Sequence, residues 1–340
     1  MNPTKGATLA DVAAAAEVDR STASRVLNAG VGHRVGAATR ERVLAAAKAL
    51  GYEPNPLARG LRTARSYTLG IAVPQLENPV FPEIIFGAEI AARSRGYALL
   101  ISHSDDAGGD AGHYAQMARV SRVDGLLVAT LEHEVALLAS LQQTSLPYVV
   151  LNRKLDGVGN YVVFDSFAAA KLATEHLIAL GHRRIAHLAG RAEGYNGQRR
   201  LAGYRAALDA AGIAYDPALV ITAGYTFEGG ETGMRALIDS GAALTAVVAA
   251  TVLTAAGAMK LLHARSIAIP TQVSVIAIHD AAIADMLHPQ LTTVRLPLRE
   301  MGSVATHGLI DLVEQKTEAI AHTLPLESLV LRASTGRPQA

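Results

Sequence analysis

The chain has 340 residues, half of them hydrophobic, which is enough to bury the cores of two or three domains. Because the chain has no cysteine, we exclude disulfides and cysteine-ligated zinc. It also has no run of about 18 apolar residues, which excludes a membrane helix, and no secretory signal at its start. We therefore expect a soluble, cytoplasmic protein. The net charge of +1 is unevenly distributed, because residues 1–66, which we call the head, carry +5 and the remainder carries −4. A basic head indicates a polyanionic partner. A solvated surface of uneven charge would give the same count.

Three short helices are predicted in residues 1–52. The first lies in TLADVAAAAEV, where apolar residues recur at helical spacing, and the second lies in DRSTASRVLN, which Asp19 caps. The third, in AATRERVLAAAKALGY, begins at or just before Thr39 and ends at Gly51. Two helices joined by a very short turn and braced by a third form a helix-turn-helix, so we predict an all-α DNA-binding domain here.

The second predicted helix has an inner and an outer face. Helical spacing puts Arg20, Ser21, Ser24 and Arg25 on the outer face, while small apolar residues turn inward. Arginine can bond bidentately to guanine and serine can donate or accept, so this face suits a major groove, with Ser24 better placed for a phosphate. A small three-helix bundle with a solvated basic face is the alternative.

The stretch TLADVAAAAEVDRSTASRVLN resembles the start of the lactose-repressor (LacI) family of regulators, whose usual pattern is T-[IL]-x-D-V-A and then a recognition helix T-V-S-R-V-L-N. The segment KALGYEPNPLARGLRT is similar to the family's next segment, which ends the third helix and enters the hinge, and the similarity continues through almost the whole chain. It implies that Arg20, Ser21 and Arg25 read bases. Glu17 departs from the glycine that the family commonly has in the turn between the two helices, and a positive φ there would cost glutamate about 1 kcal/mol.

Residues 53–66, which contain EPNPLARGLRT, form the next predicted element, a hinge helix too short to be stable alone in water. The family resemblance implies that this hinge is disordered in the free protein and helical on operator DNA. There Leu61 of each subunit would wedge between base pairs in the minor groove, while Arg59 and Arg62 lie near phosphates. An ordinary interdomain linker is the alternative.

From SYTLGIAVP onward, apolar strands alternate with helices in two series of similar length. Continuous apolar strands between helices indicate parallel sheets covered on both faces, so we predict two α/β lobes with a cleft between them. This matches the periplasmic-binding-protein-like (type I) body of the LacI family, in which the chain crosses back to the first lobe near its end. We therefore assign the first, N-terminal lobe to 67–164 and 294–322, and the second, C-terminal lobe to 165–293 and 323–340.

Ligands of open α/β sheets bind beyond the carboxyl ends of the strands, and several polar or aromatic residues follow predicted strands there. Phe81 could stack on a sugar face, and Arg200 occupies a position at which family members hold an effector hydroxyl or carboxylate. Taken singly, each residue could equally serve the structure or contact solvent. The residues that we predict to bind the effector are Phe81, Asp105, Asn152, Arg153, Phe164, Arg200, Thr251 and His279.

Two of these positions depart from the sugar-binding pattern of the family. The family often has Asn-Asp where this chain has Thr251-Val252, and often has Asp, which holds sugar hydroxyls, where this chain has His279. A cleft that keeps Arg200 and lacks that carboxylate favours an anion, because arginine binds carboxylates bidentately and histidine can donate. His279, with VVFDSFAAAK upstream, resembles the gluconate-type repressors, so our hypothesis is a sugar-acid effector; a neutral sugar, a nucleobase and a weakened site are the alternatives.

Signals for an enzyme or a metal site are weak. The sequence has no G-x-G-x-x-G after a strand, no phosphate loop of the form G-x-x-x-x-G-K-[ST] and no G-x-S-x-G elbow. The EHE segment at Glu132–Glu134 and the histidines His176, His182 and His187 lack H-E-x-x-H spacing. Helix capping or core packing explains His182 better than a metal does. We therefore expect no enzyme, no metal and no cofactor. An α/β sugar-binding or sugar-processing protein that does not act on DNA is the rival class, and the basic head argues against it.

These elements together predict an allosteric repressor. Two subunits associate through the body, mainly the first lobe, and their heads read a near-palindromic operator in double-stranded DNA. A small-molecule effector closes or twists the lobes and so changes the spacing of the two hinges. The chain ends soon after LVLRASTGRPQA without an apolar heptad tail, so we expect a homodimer rather than a tetramer, and no membrane partner.

Overall fold

A computed structural model of the protein describes the residues numbered 7–28, 35–52, 65–103, 123–129 and 146–339. The chain divides into two compact units, residues 1–67 and residues 68–340. Within the described ranges, no helix combines the length and the apolar character needed to cross a membrane.

The first unit contains, among its described residues, the helices α1 (Leu9–Ala15), α2 (Arg20–Asn28) and α3 (Ala37–Ala49). Thr8 caps α1, because its hydroxyl accepts a hydrogen bond from the Asp11 amide at 3.3 Å while the Asp11 carboxylate accepts one from the Thr8 amide at 2.7 Å. This reciprocal pair satisfies two of the donors that the start of a helix leaves open.

Packing holds the three helices together, since helices of this length are marginal alone in water. Their small apolar side chains form one core and let the helix axes approach closely. The buried members of this core are Val12, Ala13, Ala16, Ala23, Val26, Val43 and Ala47. The predicted all-α head is therefore confirmed.

The turn between α1 and α2 depends on Glu17, whose φ of 52° is in the left-handed region. The Glu17 amide donates to the Ala14 carbonyl at 3.2 Å, and the Val18 amide donates to the Ala13 carbonyl at 3.0 Å. These are the paired hydrogen bonds of a Schellman cap, in which glycine is usual because it has no Cβ. Glutamate there costs about 1 kcal/mol, and Val18 offsets part of that cost by packing against the core of the first unit.

The second unit consists of two α/β lobes. Its described strands are β1 (Thr68–Val73), β2 (Ala98–His103), β3 (Gly125–Val128), β4 (Tyr148–Leu151), β5 (Tyr161–Phe164), β6 (Ile185–Ala189), β7 (Val220–Thr222), β8 (Ala246–Ala249), β9 (Ser274–Ile278), β10 (Thr292–Arg295), β11 (Ala321–Leu324) and β12 (Ser328–Val330). Its described helices are α4 (Val80–Ser94), α5 (Ser166–Ala179), α6 (Tyr195–Ala210), α7 (Phe227–Asp239), α8 (Val252–Ala264), α9 (Ile283–Met286) and α10 (Leu298–Val313).

The first lobe is built on a sheet whose described strands have the order β11-β5-β4-β3-β1-β2, with every neighbouring pair parallel. α4 and α10 pack against each other at glycines. A Cβ on Gly87 would lie 2.0 Å from the carbonyl oxygen of Arg299, and a Cβ on Gly302 would lie 2.0 Å from that of Ile84. These two glycines therefore allow α10, which comes late in the chain, to dock on the first lobe.

The second lobe is built on a sheet of the order β12-β10-β9-β8-β6-β7, in which the β10–β12 pair is antiparallel and the other described pairs are parallel. β6, β8 and β9 are buried along their whole length, as expected of apolar strands covered on both faces. Because these strands are parallel, their carboxyl ends meet at one edge. The predicted two-lobe α/β body is confirmed.

The strands place two lobe crossings slightly later than the predicted boundaries. β10 belongs to the second sheet through Arg295, so the boundary predicted after residue 293 cuts this strand. β11 belongs to the first sheet through Leu324, so the boundary predicted after residue 322 cuts that strand as well. Hydrogen-bonded strand pairing sets these positions, and hydrophobic pattern alone does not reveal which strands pair.

Candidate functional site

α2 presents two chemically different faces. Ala23 and Val26 are buried in the core of the first unit, whereas Arg20, Ser21 and Arg25 are exposed. Nη2 of Arg25 donates to the Ser21 hydroxyl, one turn earlier, at 3.1 Å. Three donor-bearing side chains therefore share one exposed face of a helix, and a major groove is wide enough to admit such a helix.

The other residues predicted to contact DNA are less fully described. Ser24, predicted to bind a phosphate, is half-buried beside the exposed face of α2. The hinge residues Arg59, Leu61 and Arg62 lie outside the described residues, and so does the predicted effector residue Asp105. The roles of these four residues remain predictions.

In the second unit, a cleft lies between the two lobes. It encloses about 50 Å³, which is room for a few water molecules and less than an ordinary small-molecule site. Of the predicted effector residues, the cleft is lined by Phe81, Asn152, Arg153, Arg200 and Thr251.

Sequence reasoning missed the other residues that line the cleft, which are Gln75, Asn78, Val80, Tyr195, Asn196 and Tyr225. Gln75 and Asn78 lie in the loop after β1, and Tyr225 lies in the loop after β7. Tyr195 and Asn196 begin α6, directly after the loop that follows β6. The rule that ligands bind beyond strand ends would have found these residues had it been applied to whole loops and to the first turns of the helices that follow them.

Arg200 is a buried cation at the floor of this cleft, with only 4% of its surface exposed. Its Nη1 donates to the Ala250 carbonyl at 2.7 Å, and its guanidinium carbon lies 5.9 Å from the ring centres of both Phe164 and Tyr225. Among the described residues, no carboxylate forms an ion pair with Arg200 and its Nε has no hydrogen-bond partner. Burial lowers the pKa of Arg200, but a guanidinium stays charged.

Phe164 and His279 do not line the cleft, but both interact with the charge of Arg200. Phe164 is 1% exposed and offers its ring to the guanidinium. His279 follows β9 with a φ of 84° and is also 1% exposed. Burial first, and then the charge of Arg200, lower the pKa of His279 to about 4, so its ring is neutral at pH 7. Within the described part of the chain, neither ring nitrogen of His279 has a hydrogen-bond partner.

Asn152 is engaged by the second lobe. The Asn196 amide nitrogen, at the start of α6, donates to the Asn152 carbonyl at 2.7 Å and lies 3.3 Å from the Asn152 side-chain oxygen. The Ser166 hydroxyl, at the start of α5, donates to the Asn196 side-chain oxygen at 2.6 Å. These contacts form a polar bridge between the end of β4 in the first lobe and two helix starts in the second, which we call the Asn196 bridge.

Thr251 is committed to the protein as well as facing the cleft. Its hydroxyl accepts from the Thr254 amide at 3.2 Å and lies 2.9 Å from the Thr254 hydroxyl, so it caps the start of α8. A threonine here therefore serves the helix terminus.

The histidines considered as metal ligands have structural partners. His182 Nε2 hydrogen bonds to the Gly336 carbonyl at 2.9 Å, and His187 Nδ1 donates to the Val248 carbonyl at 2.9 Å. Over the residues that the structure describes, no group of three or more His, Asp or Glu side chains could hold a metal ion. Glu132–Glu134 lies outside those residues.

Two regions of the chain match known protein families. Residues 8–55 match the family described as bacterial regulatory proteins, lacI family, and residues 174–335 match a periplasmic binding protein-like domain. The chain is 34% identical to the HTH-type transcriptional regulator CelR of Thermobifida fusca, over 96% of this chain and 98% of that protein. It is 31% identical to the ribose operon repressor of Escherichia coli K12, over 92% of this chain and 94% of that protein.

Solved structures give the same relatives. A complex of the transcriptional regulator CelR with cellobiose is 33% identical, with a TM-score of 0.75 over 96% of this chain and 99% of that chain. The lac repressor dimer bound to operator and the anti-inducer ONPF is 28% identical, with a TM-score of 0.81 over 98% of this chain and 100% of that chain. Both the helical head and the two-lobe body therefore have counterparts in regulators of transcription.

Proposed function

The chain belongs to the LacI family of bacterial DNA-binding transcriptional regulators, and on that premise we propose that it is an effector-responsive repressor that binds a near-palindromic operator as a dimer. The observation that supports this most directly is the exposed face of α2, which carries Arg20, Ser21 and Arg25 on a small, packed helix-turn-helix. Arg25 is held toward Ser21, which favours bidentate bonding to a guanine over free rotation in solvent. A dimer would present two such helices to two half-sites related by a two-fold axis.

Selection of bound duplexes from a random DNA pool, using the full-length protein, tests this function. We expect a near-palindromic consensus. Arg25→Ala should lose the preference for one or two positions in each half-site, at a cost of about 1–3 kcal/mol per base contact, and should keep the salt-dependent, non-specific binding.

Arg235→Ala is the matched control for that variant, because Arg235 is an exposed arginine on α7 in the second unit. It should select the same consensus as the parent protein. If the parent protein prefers no duplex over bulk competitor, with or without small molecules, the proposed function is wrong.

We propose that the subunits associate mainly through the first lobe. Phe86 and Ile90 lie one turn apart on α4, with 48% and 44% of their surfaces exposed. Large apolar side chains at i and i+4 on one helix face are a common feature of dimer interfaces, because burying them removes apolar surface from water.

We propose that the effector is a sugar acid or a sugar-like metabolite bound between the lobes. The relatives include a regulator solved with cellobiose and a repressor of a ribose operon, which supports a carbohydrate. Arg200, a buried cation with no carboxylate partner among the described residues, supports an anionic one. The effector need shift the preference between two lobe arrangements by only about 1–3 kcal/mol to change operator binding.

Two measurements test the proposal that the effector is a sugar acid. Titration calorimetry compares the affinities for aldonates and for their parent sugars, and operator binding is then measured in the presence of each compound. Binding of an aldonate that alters operator affinity is the expected result. A clear response to a neutral sugar with none to any aldonate would contradict the sugar acid and leave the repressor in place.

A further inference from the structure

Two segments that cross between the lobes have the same sequence, Leu-Pro-Leu. Residues 296–298 connect β10 of the second lobe to α10 of the first, and residues 324–326 connect the end of β11 in the first lobe to β12 of the second. All three residues of 296–298 are buried, whereas Pro325 is exposed and Leu326 is half-buried. We call 296–298 the buried crossing and 324–326 the exposed crossing.

The buried crossing is fixed to both lobes. Arg295 lies directly before it, and its Nη2 and Nε donate to the Asp280 carboxylate, within the second lobe, at 2.8 Å and 3.2 Å. Arg299 lies directly after it and is ion-paired with Glu83 of α4 in the first lobe, while its guanidinium carbon lies 4.5 Å from the ring centre of Phe86. The two arginines that flank the crossing are therefore held by different lobes.

The buried crossing is also stiff. The Leu298 amide donates to the Leu296 carbonyl at 2.9 Å, and the two leucines are 4% and 5% exposed. Pro297, between them, has a φ of −79° and no amide hydrogen, and its ring fixes that angle. Burial and a fixed φ leave the segment few other conformations, so a displacement at one end of the crossing is carried to the other end.

The other crossings lack this combination. Within the described part of the chain, no ion pair flanks the exposed crossing, although Glu327 follows it directly. At the remaining crossing, residues 164–166, the Asp165 carboxylate accepts from the Ala168 amide at 3.1 Å and lies 3.6 Å from Arg199, and both of these partners belong to the second lobe. Of these three crossings, as the structure describes them, the buried crossing alone is anchored by ion pairs in both lobes.

The helix that follows the buried crossing moves together with α4. Gly87 of α4 and Gly302 of α10 bring the two backbones into contact, since a Cβ on either glycine would lie 2.0 Å from a carbonyl oxygen of the other helix. Phe86 and Ile90 are exposed on α4. A displacement of the start of α10 therefore displaces the two side chains that we assign to the subunit interface.

We propose that the buried crossing is a rigid connector through which movement of the second lobe displaces α10 and α4, and with them Phe86 and Ile90. The exposed crossing is a flexible link that absorbs such movement. This inference rests on the proposed function, because it takes Phe86 and Ile90 as the face that meets the second subunit. Continuous contacts do not by themselves establish energetic coupling, so matched substitutions are needed to measure it.

Hydrogen exchange on the full-length protein compares the two crossings directly. Pro297→Gly frees φ in the buried crossing and leaves both flanking ion pairs in place, whereas Pro325→Gly makes the same change in the exposed crossing. We expect Pro297→Gly to raise the exchange rates of the α4 amides at least about threefold, because the pair of helices loses its rigid attachment, and Pro325→Gly to leave them unchanged. Equal effects of the two substitutions, or no change in α4, would overturn the inference.

A double-mutant cycle measures the coupling to the subunit interface. Arg295→Gln releases the connector from the second lobe, and Asp280 keeps Thr293 and Arg332 as donors, so the local fold is retained. Arg299→Gln releases the connector from the first lobe. Sedimentation velocity over a dilution series gives the dimer dissociation constant of each protein.

The expected result of the cycle is non-additive. Arg295→Gln should weaken the dimer at least about fivefold in the parent protein and less than about twofold in the Arg299→Gln protein, whose connector is already released at one end. Arg265→Gln is the matched control, because it removes an ion pair of similar length, 2.9 Å to Asp239, elsewhere in the second lobe, and it should leave the constant unchanged. Equal losses in both backgrounds, or an equal loss in Arg265→Gln, would indicate general destabilisation and contradict the connector.

One further variant separates this inference from the proposed function. If Ile90→Glu remains dimeric, the proposed dimer face is wrong, and the exchange of the α4 amides alone decides the connector. If Ile90→Glu is monomeric while Arg295→Gln dimerises like the parent protein, the connector is overturned and the proposed function stands. A parent protein that selects no operator contradicts the repressor, and both measurements still decide the connector.

Discussion

Arg200 is a buried cation whose side chain is fixed in position by the protein. The guanidinium carbon lies 5.9 Å from the ring centres of both Phe164 and Tyr225, and Nη1 donates to the Ala250 carbonyl, so the charge is stabilised by aromatic rings and a carbonyl dipole. None of these partners neutralises the charge. The side chain is therefore fixed in position while one edge remains available, an arrangement that preorganises a donor for an anion.

Arg200→Ala should abolish the response to the effector and leave operator binding intact. Loss of hydrogen bonds to a charged donor costs about 1.5–3 kcal/mol, so effector affinity should fall about ten- to a hundredfold. Calorimetry and operator titration measure the two quantities separately. Arg199→Ala, the exposed neighbour on the same helix, is the control and should respond like the parent protein. A normal response from Arg200→Ala would mean that the pocket is assigned to the wrong residues.

Buried neutral histidines should make the protein sensitive to acid. Burial is the main cause that lowers the pKa of His187 and His279 to about 4, against 6.5 for an unfolded chain. Below pH 6.5 these histidines bind protons in the unfolded chain but stay neutral in the folded chain. Their contribution to the free energy of unfolding is therefore complete above pH 6.5 and is lost as the pH falls towards 4. Each histidine should remove roughly 2 kcal/mol between pH 6.5 and 5.

Urea unfolding at several pH values measures this loss. His187→Gln should reduce the acid-induced fall in the free energy of unfolding, whatever its effect at pH 7.5. His263→Gln, at an exposed position, should leave the pH dependence as it is. A variant at His187 with the same pH profile as the parent protein would show that this ring is not the group that resists protonation.

In the second unit, the end of one strand and the starts of two helices meet at the Asn196 bridge. The end of β4 belongs to the first lobe, and the starts of α5 and α6 belong to the second. Asn152 adopts a φ of 64°, which directs the chain out of β4 at the point where Asn196 donates to its carbonyl. Because the bridge joins the lobes beside the cleft, it stabilises the narrow arrangement of that cleft.

Asn196→Ala should weaken that narrow arrangement, in which the cleft is too small for an effector, and so raise effector affinity several-fold, since one hydrogen bond contributes about 1 kcal/mol. Asn196→Asp should have a larger effect in the same direction, because it places a carboxylate against the Asn152 carbonyl while it keeps the acceptor for Ser166. Calorimetry orders the three proteins. Gln198→Ala, an exposed position two residues along the same helix, should match the parent protein; equal affinities throughout would exclude a role for the bridge.

For the whole molecule, the proposed dimer must hold its two helix-turn-helix units at the spacing of the two operator half-sites. A near-palindromic operator requires a two-fold axis, and we place that axis at the first lobe because of the exposed pair Phe86 and Ile90 on α4. In the proposed dimer each subunit contributes one copy of α2, so most of the specific affinity should depend on the second subunit.

Ile90→Glu should convert the dimer to a monomer, because a carboxylate would have to be buried against apolar surface. Operator affinity should then fall by at least about a hundredfold, as binding of two linked heads is replaced by binding of one. Sedimentation velocity and operator titration measure the two effects. Ala236→Glu introduces the same charge at an exposed position on α7 and should remain dimeric. A dimeric Ile90→Glu protein would place the interface elsewhere.

Local pattern was sufficient to determine most of the architecture. Helical spacing separated the inner face of α2, with Ala23 and Val26, from the outer face with Arg20 and Arg25. Apolar runs between helices predicted two parallel sheets, and the positive φ at Glu17 agrees with its place in the turn. These features depend on contacts between residues close in sequence, or on which face a residue turns to the core, and both are encoded in periodicity.

Only the tertiary structure decided where the described site residues lie and which groups they contact. It placed His279 and Phe164 outside the cleft lining, and it left Arg200 without a carboxylate partner among the described residues. It also joined Asn152 to Asn196, 44 residues apart. The physical reason is that burial, charge compensation and hydrogen-bond pairing are set by neighbours that are distant in sequence, and no local pattern records which of them the fold brings together.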